Sequence, residues 1–172
     1  MGRDEQGLAA SRSRYQVVPR TLCFVRNGND VLLLKGAPTK RIWANRYNGL
    51  GGHVERGEDL YNAMLREVRE EAGLDLRDLH LAAVVHADGG DPQLGILFFV
   101  FTGWSETREV IPSSEGALEW HDVRALPTSN MAPDLPVILP RLLALPPSVP
   151  PLFLAYQYDE EDRLVITFAD NQ

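Results

Sequence analysis

Residues 52 to 74 read GHVERGEDLYNAMLREVREEAGL, and this stretch decides more about the chain than any other. Apolar residues recur at helical spacing from Leu60 onward, which predicts an amphipathic helix over Asp59 to Ala72. Asp59 is a typical N-terminal cap, and Gly73 stands where helices commonly end. The stretch therefore predicts a loop that leads into a helix with well-marked ends.

Three glutamates interrupt the amphipathic pattern of this helix. Glu67, Glu70 and Glu71 are spaced so that their carboxylates converge on one side. On a helical wheel Glu71 falls inside the apolar stripe, between Leu60 and Met64. A solvated acidic face is the ordinary explanation for such a helix, but like charges at this spacing repel and a carboxylate at a buried edge is costly. Convergent carboxylate oxygens suit Mg²⁺ or Mn²⁺, so the pattern favours a divalent metal site.

The spacing between the glycine-rich loop and the helix matches a known signature. From Gly52 the pattern runs through five residues to Glu58, seven residues to Arg66-Glu67-Val68, one residue to Glu70-Glu71 and one residue to Gly73-Leu74. On these positions the sequence resembles the Nudix hydrolases. The resemblance implies an α/β (α+β) fold, an α/β/α sandwich with a mixed sheet, in which this stretch forms a loop-helix-loop catalytic box.

The resemblance also implies a metal-dependent reaction. Glu67, Glu70 and Glu71 would bind divalent cations, Mg²⁺ with Mn²⁺ as a substitute, and the backbone carbonyl of Gly51 would complete the metal shell. A metal-activated water would attack a diphosphate and release a nucleoside monophosphate or a similar product. Glu70 is the first choice for the group that takes the proton from this water. Glu115, later in the chain, would lie near the cluster as a further ligand or base.

Two other residues of the box have a supporting role in this resemblance. Glu58 and Arg66 would form a buried or half-buried ion pair that orients the helix and the loop. A plain surface salt bridge, which contributes little to stability, is the alternative for this pair.

A further resemblance lies outside the box, to the oxidised-purine nucleoside triphosphatases of the mammalian type. In that group an asparagine before the box and an acidic residue after the late strand read the purine edge, and here these would be Asn48 and Asp134. Ala132 and Leu135 depart from the group, because they replace an aromatic residue and a carboxylate. We therefore expect weaker base discrimination. The segments that carry the resemblance are residues 46–52, Ser114-Glu115, Trp120, Pro133-Asp134 and the C-terminal strand pair.

Aromatic and histidine side chains are additional candidates for contact with a substrate. Trp43 and Tyr47 either supply a stacking surface for the base or pack in the interior, and both readings stay open. Trp120 is interpreted as a core residue. His53 lies in the box loop, where it could approach a phosphate, while the other histidines lack the spacing of zinc ligands.

The remaining patterns predict one domain, with residues 1–14 as a flexible polar tail and residues 15–172 as the catalytic domain. Gly and Asp residues in ADGGDPQ, 87–93, predict a turn between two strands. The other predicted elements are strands over Tyr15–Arg26, Val31–Lys35, Leu79–His86, Leu94–Trp104, Ala117–Val123, Leu152–Tyr158 and Leu164–Phe168, and a second helix over Leu135–Leu145.

Composition limits the partners of the chain. The formal net charge of −7 argues against nucleic-acid polymers and anionic membranes, which are normally bound through basic patches. Cys23 is the only cysteine, so no internal disulfide can form, and a cytoplasmic location is expected. No apolar run reaches the roughly 18 residues of a membrane span. The expected partner is a small nucleotide, with the oligomeric state, monomer or homodimer, left open.

Three functions fit these observations. The first is a Mg²⁺-dependent pyrophosphohydrolase of a nucleoside triphosphate, such as an oxidised purine nucleotide. The second is a hydrolase of another nucleoside diphosphate derivative, a dinucleotide or an ADP-sugar. The third is a non-catalytic nucleotide-binding module, which the intact set of box glutamates disfavours.

Overall fold

A computed structural model describes residues 14–169, so the predicted tail, residues 1–14, lies outside the described residues except for Arg14. The chain forms eight strands and two α-helices in this range, with a short 3-10 helix at Thr128–Asn130. No helix of the described range is long and apolar enough to cross a bilayer. The elements are β1 Gln16–Asn27, β2 Asp30–Gly36, β3 Tyr47–Asn48, α1 Leu60–Ala72, β4 Arg77–Asp91, β5 Leu94–Trp104, β6 Gly116–Asp122, α2 Leu135–Ala144, β7 Leu152–Tyr158 and β8 Leu164–Phe168.

All eight strands belong to one mixed sheet. Its order is β3-β2-β1-β5-β4-β7-β8, and β6 pairs with β2 outside this path. The β1–β5 and β4–β7 pairs are parallel, and the other pairs are antiparallel. The mixed sheet predicted from the family resemblance is therefore confirmed.

The two helices are packed with opposite faces of this sheet. The surface packed with α1, which we call the α1 face, contains a buried cluster with Val25, Met64, Val68, Leu74 and Phe101. The surface packed with α2, the α2 face, contains a second cluster with Phe24, Leu33, Val85, Leu139 and Leu142. These layers form the α/β/α sandwich that the resemblance implies.

Helix α1 has the ends that its sequence predicts. The Asp59 carboxylate accepts hydrogen bonds from the backbone N–H groups of Tyr61 and Asn62, at 3.0 and 2.9 Å. Gly73 ends the helix in the left-handed conformation at φ 69°, and its N–H donates to the carbonyl of Arg69. The caps satisfy backbone groups that the helix itself leaves unpaired, which fixes where the box helix begins.

Two regions differ from the sequence prediction. Strand β4 continues through most of the predicted turn to Asp91, because a register shift between Asp88 and Asp91 accommodates Gly90 at φ 79°. The glycines therefore mark a bulge within the strand, and only Pro92 and Gln93 form the connection. Strand β3 was not predicted, since its two residues have no periodicity of their own and gain their strand geometry by pairing with β2.

Candidate active site

The glycine loop before the box is held against strand β1. Leu50 and Cys23 exchange backbone hydrogen bonds at 2.7 and 3.1 Å, and the N–H of Thr21 donates to the carbonyl of Gly52 at 2.9 Å. A Cβ atom at Gly51 would collide with the backbone of Thr21, and one at Gly52 would lie 2.5 Å from the Glu67 carboxylate. The glycines thus allow the loop to pass between β1 and the glutamates of α1.

Glu71 is the most deeply placed carboxylate of the box. It is half-buried, and its Oε2 accepts a hydrogen bond from the N–H of Gly51 at 2.9 Å. Burial raises the pKa of Glu71 to about 7, and repulsion from Glu67 and Glu115 adds to this shift, while the Gly51 bond and Lys40 oppose it. The helical-wheel position of Glu71 within the apolar stripe therefore corresponds to real burial.

Arg66 connects the carboxylates of the box. Its Nε and Nη2 donate to the two oxygens of Glu58 at 2.9 and 3.0 Å, and this bidentate pair holds the pKa of Glu58 below its usual value. Their side chains are 25% and 18% exposed, so the half-buried ion pair is present as predicted. Arg66 Nη1 also donates to Glu67 at 2.9 Å and Glu70 at 3.2 Å, and Nη2 donates to the carbonyl of His53. The sequence did not predict these additional contacts.

The donor set around α1 suits a hard divalent cation. Within residues 14–169 no three His, Cys, Asp or Glu side chains are arranged as a formed metal site, because Arg66 holds Glu67 and Glu70 while Gly51 holds Glu71 through its N–H. The donors are nevertheless carboxylate oxygens, and their mutual repulsion contributes to the raised pKa of Glu71. A cation would relieve this repulsion, so the residues fit Mg²⁺ or Mn²⁺. The Gly51 carbonyl as a ligand stays a prediction.

A lysine that the sequence reasoning missed lies beside this group. Lys40, in the loop between β2 and β3, forms an ion pair with Glu115, and the Glu115 carbonyl accepts a hydrogen bond from Ala37 at 2.9 Å. Both charges act on Glu71, so Glu115 lies near the glutamate cluster as expected. No local pattern could have paired Lys40 with Glu115, since the two are distant in sequence.

The segments of the two predicted base-reading residues lie side by side. The N–H of Ala132 donates to the carbonyl of Tyr47 at 2.9 Å, which places the approach to α2 beside β3. The side chains themselves have separate partners: Asn48 Oδ1 accepts from the N–H of Gly49 at 2.8 Å, and Asp134 Oδ2 accepts from the Tyr156 hydroxyl at 3.1 Å. Burial raises the pKa of Asp134. Their joint contact with a base stays a prediction.

The remaining candidates for contact with the substrate differ in how exposed their side chains are. Tyr47 is only 7% exposed, its hydroxyl donates to Glu119, and its ring edge packs against His121, so the stacking role for Tyr47 is wrong and the packing alternative holds. Burial between β2 and the segment before α2 is the physical reason. Trp43 is 38% exposed and His53 is exposed, so both stay available to a ligand.

A pocket with a volume of about 500 Å³ lies apart from the glutamates of the box. It is lined by Tyr15, His86, Asp88, Gly90, Asp91, Pro92, Ala155, Tyr156 and Gln157. No residue of the box lines it, so cavity volume does not single out the glutamates.

Known proteins share both the sequence pattern and the fold. Residues 17–142 match the family described as NUDIX domain. The chain is 33% identical over 117 residues to the "Uncharacterized Nudix hydrolase YvcI" of Bacillus subtilis, covering 66% of this chain and 71% of that protein. It is 30% identical over 126 residues to the "Oxidized purine nucleoside triphosphate hydrolase" of Danio rerio, covering 66% and 72%.

A solved structure supports the fold independently of close sequence identity. The MutT protein from Bacillus halodurans superimposes with a TM-score of 0.71 at 22% identity, covering 91% of this chain and all of that one. At this identity the likeness shows the fold alone. Together with the family match, which spans most of the chain, these findings show that the protein belongs to the Nudix family and is a Nudix hydrolase.

Proposed function

We propose that this hydrolase is a Mg²⁺-dependent pyrophosphohydrolase that cleaves a nucleoside triphosphate to the monophosphate and pyrophosphate, with an oxidised purine nucleotide as the leading substrate. The observation that carries the proposal is the half-buried carboxylate of Glu71, held by the N–H of Gly51 in a group that includes Glu67 and Glu115. Negative charge concentrated at a buried edge is costly unless a cation shares the site.

The residues of the chain divide the work as follows. Glu67, Glu70 and Glu71, with Glu115, would hold the divalent cation, which when bound neutralises phosphate charge and lowers the pKa of a bound water. The bidentate contact with Glu58 keeps Arg66 in place, and Arg66 in turn holds Glu67 and Glu70. Glu70 is 61% exposed, so it is accessible to accept a proton from water.

The choice of substrate rests on different residues. A relative named for oxidised purine nucleoside triphosphates covers two thirds of this chain, which favours that class. Asn48, Asp134 and the exposed ring of Trp43 are the side chains proposed to meet the base, and His53 is proposed to approach a phosphate. Ala132 and Leu135 are fully buried and offer the base neither a ring nor a carboxylate, so we expect modest discrimination.

A substrate panel with product analysis tests the proposal. It contains dGTP, 8-oxo-dGTP, dATP and 2-oxo-dATP, a dinucleoside polyphosphate and an ADP-sugar, each with Mg²⁺, with Mn²⁺ and with a chelator. We expect monophosphate and pyrophosphate from the triphosphates, and no turnover with the chelator. Turnover restricted to the dinucleotide or the ADP-sugar would support the second candidate function, and release of orthophosphate from triphosphates would contradict the proposed reaction.

A matched pair of variants links the reaction to the box. Glu70→Gln removes one charge of the cluster, whereas Glu109→Gln removes one exposed charge outside it. Loss of turnover in the first variant alone supports the assigned site, and equal loss in both would show that the effect is not local.

A further inference from the structure

Strand β1 carries an arginine, Arg20, for which the described part of the chain provides no side-chain hydrogen bond or ion pair. Arg20 is half-buried, its Nε is buried without a hydrogen bond, and no ion pair to it exists within residues 14–169. Arg26, on the same strand, differs: it donates to the carbonyl of Leu143 at 3.1 Å, and its guanidinium lies 4.7 Å from the ring centre of Trp104. Because a desolvated donor without a partner is costly, Arg20 is a candidate for contact with a ligand.

The strand register places Arg20 on the α2 face. Arg20 pairs with Phe98 on β5, and Phe98 pairs with Val85 on β4, so the three side chains stand in one row. Phe98 belongs to the α2-face cluster and is only partly buried there. The guanidinium therefore stands at the edge of an apolar surface that a flat ring can cover.

A carboxylate stands on the other side of this surface. The neighbouring row runs through Ala87 to Tyr156 on β7, and the Tyr156 hydroxyl donates to Asp134 at 3.1 Å. Three strand spacings separate β1 from β7, which is about 14 Å. Arg20 and the Tyr156–Asp134 pair thus lie on the same face of the sheet, on either side of β5 and β4.

The same arginine adjoins the catalytic box. Arg20 forms a β-bridge with His53, the first box residue after Gly52, and the N–H of the following Thr21 donates to the Gly52 carbonyl. A ligand in contact with Arg20 therefore has its other end close to the loop that holds Glu71.

We propose that Arg20 determines base specificity by donating to the O6 acceptor that guanine and its 8-oxo form share. This inference rests on the proposed function, since it names the purine class of that site. A guanidinium N–H matches the O6 acceptor, whereas adenine presents an amino donor at the same position. Adenine would leave Arg20 without a matched partner.

Kinetics on guanine and adenine triphosphates test the assignment. In Arg20→Gln we expect the ratio of kcat/KM for dGTP over dATP to fall about tenfold, because the charged contact with O6 is lost. Arg20→Lys keeps a charged donor on a shorter-reaching ammonium and should restore part of the ratio. Arg26→Gln is the matched control on the same strand, and it should lower thermal stability and leave the ratio unchanged.

Two outcomes would overturn the inference. An equal loss for both nucleotides would identify Arg20 as a phosphate contact, and an unchanged ratio would place base recognition elsewhere. Calorimetric binding of dGMP and dAMP repeats the comparison without turnover, with tighter dGMP binding expected in the wild type and lost in Arg20→Gln. If no triphosphate is hydrolysed, the proposed function fails, while the monophosphate binding still decides the role of Arg20.

Discussion

The α1 face and the α2 face of the sheet differ in how their functional residues are assembled. On the α1 face, Glu58, Arg66, Glu67 and Glu71 lie within a single loop and helix; Arg66 donates directly to Glu58 and Glu67, and Glu71 accepts from the N–H of Gly51. On the α2 face, the proposed base contacts come from segments far apart in the chain, and Asp134 is held by a tyrosine on β7. The proposed reaction chemistry is thus encoded locally in the chain, while the proposed base recognition depends on how distant segments meet.

The strongest test of this comparison removes charge on the α1 face. Glu70→Gln and Glu71→Gln each remove one negative charge and keep the side-chain shape. We therefore expect kcat to fall by about a hundredfold or more while the fold persists. Steady-state kinetics at saturating Mg²⁺ and circular dichroism provide the measurement. Near-normal turnover in Glu70→Gln would remove this residue from the metal site.

Adding a single methyl group to the glycine loop should have the next largest effect. In Gly52→Ala the new Cβ would lie 2.5 Å from Glu67 Oε1, so the carboxylate must move and we expect turnover to drop by about tenfold to a hundredfold. Gly89→Ala is the control, because its Cβ would meet nothing closer than 4.0 Å. Comparable activities for the two variants would mean that the position of Glu67 tolerates displacement.

Changes at the proposed base contacts should alter selectivity and leave metal dependence intact. Asn48→Ala and Asp134→Ala are expected to raise KM for the preferred purine nucleotide and to reduce the preference between bases by about tenfold. The physical reason is that a wrong base leaves a buried polar group unpaired only when that group is present. The Mg²⁺ dependence of activity should match that of the wild type. A shifted metal requirement would show that the base contacts and the metal site are not independent.

The smallest effect on activity is expected at Glu58, which holds Arg66 in place and is not a proposed metal ligand. Glu58→Gln should lower the melting temperature by a few degrees and reduce activity less than loss of a metal ligand does. Because Arg66 lowers the pKa of Glu58 in the folded state, the stabilisation is present above the unfolded pKa and disappears as pH falls through the folded pKa. Thermal unfolding of both proteins from pH 7 down to acidic pH should show their difference shrinking. An unchanged melting temperature with complete loss of activity would instead give Glu58 a chemical role.

Local signals in the sequence were sufficient to predict the structure of the box. The caps at Asp59 and Gly73, the burial of Glu71 and the Glu58–Arg66 pair all follow from residues within a few turns of one another. The strands with clear alternation were also predictable, although the bulge near Gly90 was read as a turn because glycine favours both.

The sequence by itself determined the family, the box helix and the identity of its carboxylates, since short-range spacing fixes which side chains share a helical face. Only the tertiary structure decided that Tyr47 is buried against His121, that Lys40 pairs with Glu115, and that Arg20 lies beside Phe98 with a buried Nε that no described residue bonds. These outcomes depend on strand register and sheet order, which bring together residues distant in the chain. Pairing of distant segments is governed by collective packing and burial, so no local pattern encodes it.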